Sequence, residues 1–178
     1  MAAKRIHRCK GQGLVEFSLF VSIMLVLLAA VYDLGSLLNT HLTVVYATRQ
    51  GALMAASVGQ DSSADCDALA AIAAAISNHS NVVIDKVTIY QAASDGLPIG
   101  GWSGTGYVQT YNGMPACSSI TALVAQISNW PPANRRVKAG QADSLGVRID
   151  YTYTWQLTLI GTGQVHLADY AVFPLLPS

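Results

Sequence analysis

Residues 13–32 read GLVEFSLFVSIMLVLLAAVY, an apolar run broken only by Glu16 and two serines. At about 1.5 Å per residue, a helix of this length spans roughly the 30 Å hydrocarbon core of a bilayer. The pattern then becomes periodic. Leu34, Leu38, Leu42, Val45, Arg49, Leu53 and Ala56 step by three and four, with Leu37 and Tyr46 beside them. Asp33, Ser36, Thr40, Thr43 and Gln50 fall on the other side, as in an amphipathic helix. No proline occurs from 14 to 57, so one continuous helix is predicted over that range, the first half in lipid. The second half is expected to pack through its leucine stripe. Gly35 and Gly51 weaken the helix locally without breaking it.

Past Gly59 the pattern shortens. Residues 60–67 are polar and offer Ser62, Ser63 and Asp65 as helix N-caps. A short helix is predicted over 66–77, with Leu69, Ile72, Ala73 and Ile76 on one face. Residues 82–92 read as a strand whose phase slips at Asp85-Lys86, the mark of a bulge. Residues 94–116 hold eight glycines or prolines and predict a long exposed loop. A second short helix is expected over 118–130, stopped by Pro131-Pro132. From Leu145 to Leu159 apolar and polar residues alternate without interruption, predicting an antiparallel strand with one buried face. Gly161-Thr162-Gly163 turns the chain, residues 164–173 return as a hairpin partner, and Pro174 and Pro177 end it. The fold class is therefore α+β: a long N-terminal helix, then a small head with two short helices and an antiparallel sheet.

Charge sharpens this division. The net charge is zero, yet Lys4, Arg5, Arg8 and Lys10 all precede the apolar run. Positive charge on that flank predicts a cytoplasmic N-terminus and an exported remainder. A cleavable secretory signal is the rival reading, but its apolar core runs only about 7–15 residues. The remainder holds 6 basic against 10 acidic residues, which argues against nucleic acid as a partner. Arg135, Arg136 and Lys138 form its one basic cluster and read as a solvated loop. Cys9 lies in the basic leader. Cys66 and Cys117 fall in the exported part, where oxidation favours one bridge over two buried thiols.

Glu16 is the only glutamate in the chain and sits inside the apolar run. A charge at the bilayer centre costs on the order of 2.5–3.5 kcal/mol, so an intramembrane acid calls for a partner. One reading has Glu16 reach back to the headgroups. Another uses Gly11: cleavage there makes Gln12 the new N-terminus, with an α-amine of reference pKa near 8. Glu16 of one subunit then pairs with that amine on a neighbour.

Three segments carry a resemblance: Gly11-Gln12-Gly13-Leu14-Val15-Glu16-Phe17, Tyr32-Asp33-Leu34-Gly35 and Tyr46-Ala47-Thr48-Arg49-Gln50-Gly51-Ala52. Together with the basic leader they resemble the TadE-like minor pilins, or pseudopilins, of the Tad (tight adherence) branch of type IV pili. The likeness covers residues 8–56. Leu34 stands where an aromatic is usual, Thr48 where an alanine is, and Ser36 where a basic residue is. The resemblance implies cleavage by a prepilin peptidase between Gly11 and Gln12, and roles for Glu16 and Phe17 in assembly. Its implied partners are that peptidase, other major and minor pilins, and an assembly platform in the inner membrane. The implied organisation is a leader over 1–11, a transmembrane helix over 12–32, its amphipathic continuation over 33–58, and an exported head over 59–178.

No enzyme signature competes. The glycine-rich stretch from Gly100 to Gly106 lacks the strand, helix and lysine of a phosphate loop. There is no Gly-x-Ser-x-Gly elbow. His7, His41, His79 and His166 are scattered and no CxxC or HExxH occurs, so neither metal nor cofactor is expected. Asp61, Asp65 and Asp67 suit a helix N-terminus. The alternative class is a signal-anchored extracytoplasmic enzyme or ligand-binding domain.

Overall fold

The computed structural model describes residues 12–102, 105–117, 123–157 and 163–176. Helix α1 spans Gln12–Val58 and α2 spans Ala64–Ile76. The strands are β1 (Val82–Ala92), β2 (Val108–Asn112), β3 (Ile127–Ser128), β4 (Ser144–Thr154) and β5 (Gln164–Pro174). They form one antiparallel sheet in the order β3-β2-β1-β4-β5. The fold is α+β, with both helices on one face of this sheet.

At about 1.5 Å per residue, α1 is roughly 70 Å long. Within the apolar run the hydroxyls of Ser18 and Ser22 donate back to the carbonyls of Val15 and Ser18, so both are satisfied within the helix itself. The second half of α1 packs on α2, β4 and β5. The β4-β5 pair lies along it: Leu176 N–H, just after β5, donates to Ala56 O at the far end, and Leu157 N–H, just after β4, donates to Asp33 at the near end. The head therefore sits beside α1 from Asp33 onward. Its core gathers Val44, Leu69, Ile72, Val87, Ile149 and Tyr151, all buried.

The face by which α1 packs differs from expectation. Asp33, Thr40, Val44, Ala47, Thr48, Gly51, Ala52, Ala55 and Ala56 are buried. Leu34, Leu38, Leu42, Tyr46, Arg49 and Leu53 point outward. Of the predicted stripe, only Ala56 is fully buried. Size, not hydropathy, explains this. An ideal Cβ on Gly51 would lie 2.5 Å from Ile72 Cγ1, so the two helices cross where nothing larger fits. Small residues at i and i+4, here Ala47, Gly51 and Ala55, permit that approach.

Strand β1 carries the expected bulge, with the register to β4 shifting between Ile84 and Lys86. Strand β4 buries Leu145, Val147, Ile149, Tyr151 and Tyr153 on one side, as its alternation predicts. It ends at Thr154, earlier than predicted, because the chain leaves the sheet for α1. Thr158 to Thr162, including part of the predicted turn, lie outside the described residues. The long exposed loop expected over 94–116 contains β2, whose Val108, Gln109, Thr110 and Tyr111 are buried. The flanking glycines masked that short β-prone run.

The second short helix expected over 118–130 is corrected for residues 123–130, while 118–122 lie outside the described residues. Residues 127–128 are strand β3, and Pro132–Asn134 form a single 3-10 turn. The edge of β2 explains the change. Gln126 N–H donates to Thr110 O and Asn129 N–H to Val108 O, satisfying carbonyls that a helix would leave bare.

Candidate assembly helix and its seat on the head

At the start of α1, Gln12 Nε2 donates to Glu16 Oε1 at 3.1 Å, one turn along. Both side chains are exposed, as are Phe17 and the apolar residues that follow. The apolar part of α1 buries nothing against the head and is long and apolar enough to cross a membrane. Gly11 and the basic leader lie outside the described residues. Gln12, Glu16 and Phe17 thus lie within the first two turns of α1, at the end remote from the head.

Asp33 closes the apolar run. It is fully buried, and its Oδ1 accepts the N–H of Leu157, 124 residues away. Its Oδ2 has no partner among the described residues. One turn pair further on, Tyr151 OH lies 2.9 Å from His41 Nδ1. Burial pushes the Tyr151 phenol up to about 12. Thr43 Oγ1 reaches His79 Nε2 at 3.2 Å, and Thr48 Oγ1 donates back to Val44 O. Asp33, His41 and Thr43 therefore stitch α1 to the head, while the Thr48 bond stays within the helix.

The far end of α1 meets a second network. Arg135 and Asp65 form a fully buried ion pair, and Tyr111 OH donates to Asp65 Oδ2 at 2.8 Å. Burial, with the Asp65 charge next in effect, raises the Tyr111 phenol far above its ordinary value. The Arg135 guanidinium stacks on Trp130 at 4.9 Å, and Gln60 Nε2 donates to Arg135 O. The predicted solvated loop is thus corrected at Arg135, although Arg136 and Lys138 are exposed. A hidden arginine and its acid are indistinguishable in sequence from two surface charges. Asp65 is a clamp rather than a cap, and Ser63 occupies the N-cap position without a capping bond. Cys66, beside Asp65, is bonded to Cys117, with Cα atoms 5.4 Å apart. Among the described residues no three His, Cys, Asp or Glu converge as a metal requires.

Residues 11–53 match the model of the TadE-like protein family. The TadE-like segment covers the start of α1, Asp33 and Gly51, and stops before the head. It supports a Tad pilus-associated protein with one long apolar N-terminal helix, consistent with a single membrane pass. No curated protein and no solved structure matches the chain. The TadE-like residues fall into two groups. Gln12, Glu16 and Phe17 lie on the free helix, whereas Asp33, Ala47, Thr48 and Gly51 face the head.

Proposed function

We propose that this chain is a minor pilin, or pseudopilin, of a Tad pilus or a related secretion system. A prepilin peptidase removes residues 1–11 at the cytoplasmic face, and residues 12–32 hold the mature subunit in the inner membrane. The head, residues 59–178, is exported beside the continuation of the helix over 33–58. The subunit then joins other pilins in or at the base of the filament, guided by a membrane platform. Its role is structural rather than catalytic.

The observation that carries this reading is the TadE-like match laid over the geometry of α1. Glu16 stands exposed one turn from Gln12, on a helix whose apolar run none of the described residues covers. After cleavage the Gln12 α-amine is cationic at neutral pH and supplies the counter-charge that Glu16 needs in lipid. The outward stripe of Leu34, Leu38, Leu42, Tyr46 and Leu53 continues that apolar surface beyond the membrane. Neighbouring helices are its natural occupants.

Intact mass and N-terminal sequencing, with and without the peptidase, test the processing step. Mature protein is expected to begin at Gln12, with cleavage at Gly13-Leu14 the secondary site. Assembled material that still begins at Met1 overturns the proposal. Glu16→Ala is expected to insert normally and to lose incorporation, since the amine is then buried without its partner.

A further inference from the structure

The end of the head farthest from the apolar run holds a cavity of about 370 Å³. Its position follows from the contacts of the last turn of α1. Leu176 bonds to Ala56, and Gln60 to Arg135, whose neighbour Arg136 lines the cavity. In a subunit held by residues 12–32, this cavity faces away from the membrane.

Its lining is chemically specific. Gln91, Asn129 and Asn134 contribute carboxamides, of which Asn129 Nδ2 already donates to Gly106 O and Gln91 Nε2 to Asp143 Oδ1, and Tyr107 and Trp130 contribute aromatic rings. Arg136 and Asp143 also reach it, but as a pair: Arg136 Nε and Nη2 lie 2.9 and 2.7 Å from Asp143 Oδ1. Asp143 further accepts from Arg136 N–H and from Gln91 Nε2. The two charges cancel and the carboxylate is saturated, so an ion finds no uncompensated opposite charge here. A carboxamide offers donors and an acceptor together, which is what a hydroxyl needs. An aromatic ring offers an apolar face to a flat ligand. The volume lies at the lower end of the range for small-molecule sites, roughly 300–1,000 Å³.

The walls are also fixed beforehand. The loop bearing Asn134 and Arg136 is pinned by Arg135, which is buried against Asp65 and stacked under Trp130. Burying an ion pair gains little stability compared with apolar packing, and its best-attested use is to fix one arrangement. Here it turns Arg135 inward while Asn134 and Arg136 stay outside. Preorganised polar groups on fixed supports are what a binding site requires.

We propose that this cavity binds a neutral saccharide, one or two sugar units lying against Tyr107 with their hydroxyls on the carboxamides. The site is independent of Gly11 and Glu16. The test uses the full chain in zwitterionic micelles free of sugar headgroups, observing the side-chain amide signals of Gln91 and Asn134 by NMR. The probes are maltose, lactose and diacetylchitobiose, with sialyllactose and inorganic phosphate as anionic counterparts. At least one neutral disaccharide is expected to shift the Gln91 and Asn134 signals. Its affinity should fall about tenfold or more in Tyr107→Ala and, read from Gln91, in Asn134→Ala. Both side chains are exposed, and unchanged core signals from Val87 and Ile149 certify the fold. Silence to every neutral probe at about 10 mM, where even millimolar ligands saturate, overturns the proposal. So does a response to the anionic probes alone, or undiminished binding in both variants.

Discussion

Between Leu14 and Tyr32, α1 exposes leucine and phenylalanine; between Asp33 and Ala56 it buries alanine, threonine, glycine and a carboxylate. Leu34, Leu38, Leu42 and Leu53 of the second stretch stay outside. The first stretch is long and apolar enough to cross a membrane, and in lipid hydropathy alone would decide what the helix carries. In the second, the helix serves two neighbours at once. The head needs close approach, which only small side chains allow, and polar side chains such as Asp33 and Thr48 are held there by specific bonds. The opposite face keeps an apolar surface that the described residues of the head leave exposed. One helix can therefore be apolar on its outer face for nearly its whole length while packing by its smallest residues. A hydropathy stripe names the face that avoids water, which need not be the face that meets the head.

The largest effect separating the two stretches comes from the network at the far end of α1. Asp65→Ala leaves Arg135 buried without its acid and is expected to destabilise the head by about 3–5 kcal/mol. Denaturant unfolding followed by Trp130 fluorescence measures this, while the apolar stretch should keep its membrane insertion. Stability unchanged within error would mean that the pair is not buried in solution. Next comes the helix crossing. Gly51→Val places a branched side chain against Ile72 and should cost about 1–3 kcal/mol. Gly35, with nothing within 4 Å of its would-be Cβ, should accept alanine without loss. Equal sensitivity at both glycines would break the distinction between packed and open faces.

Asp33→Ala comes third. It removes the acceptor of Leu157 N–H and is expected to cost about 0.5–1.5 kcal/mol, the net worth of a partly buried hydrogen bond. Hydrogen exchange at Leu157 should accelerate more than at Tyr151. Protection left intact at Leu157 would show that another acceptor serves it.

How far the sequence reached follows the same division. The apolar run, the bulge at Asp85-Lys86 and the buried side of β4 were legible because each is a local pattern with a fixed period. The face of α1 was not, because small residues carry no hydropathy signal and their use depends on what crosses them. Strand β2 was hidden among glycines, and β3 exists because β2 leaves an edge to fill. Of the candidate site, Gln12, Glu16 and Phe17 were visible as a motif at the start of the helix. Asp33 was visible only as part of a motif, and its bond to Leu157 depends on where β4 leaves the sheet. Arg135 looked like its neighbour Arg136, since burial of a charge is a tertiary fact.

The smallest expected effect on the head tests the outer stripe. Leu38 and Leu42 are exposed, so Leu38→Ser and Leu42→Ser should each change unfolding free energy by no more than about 0.5 kcal/mol. If the stripe merely tolerated water, assembly would be equally indifferent. If it packs on neighbouring helices, each serine removes apolar area from that contact, at about 25 cal/mol per Å². The double variant should then insert and mature normally, yet incorporate less well into pili or their base. Leu69→Ser in α2 is the opposing control, because its side chain lies in the head core and should reduce stability first. A double variant with wild-type stability and wild-type incorporation would show that the outer face of α1 beyond Tyr32 has no partner. The leucines would then need another explanation.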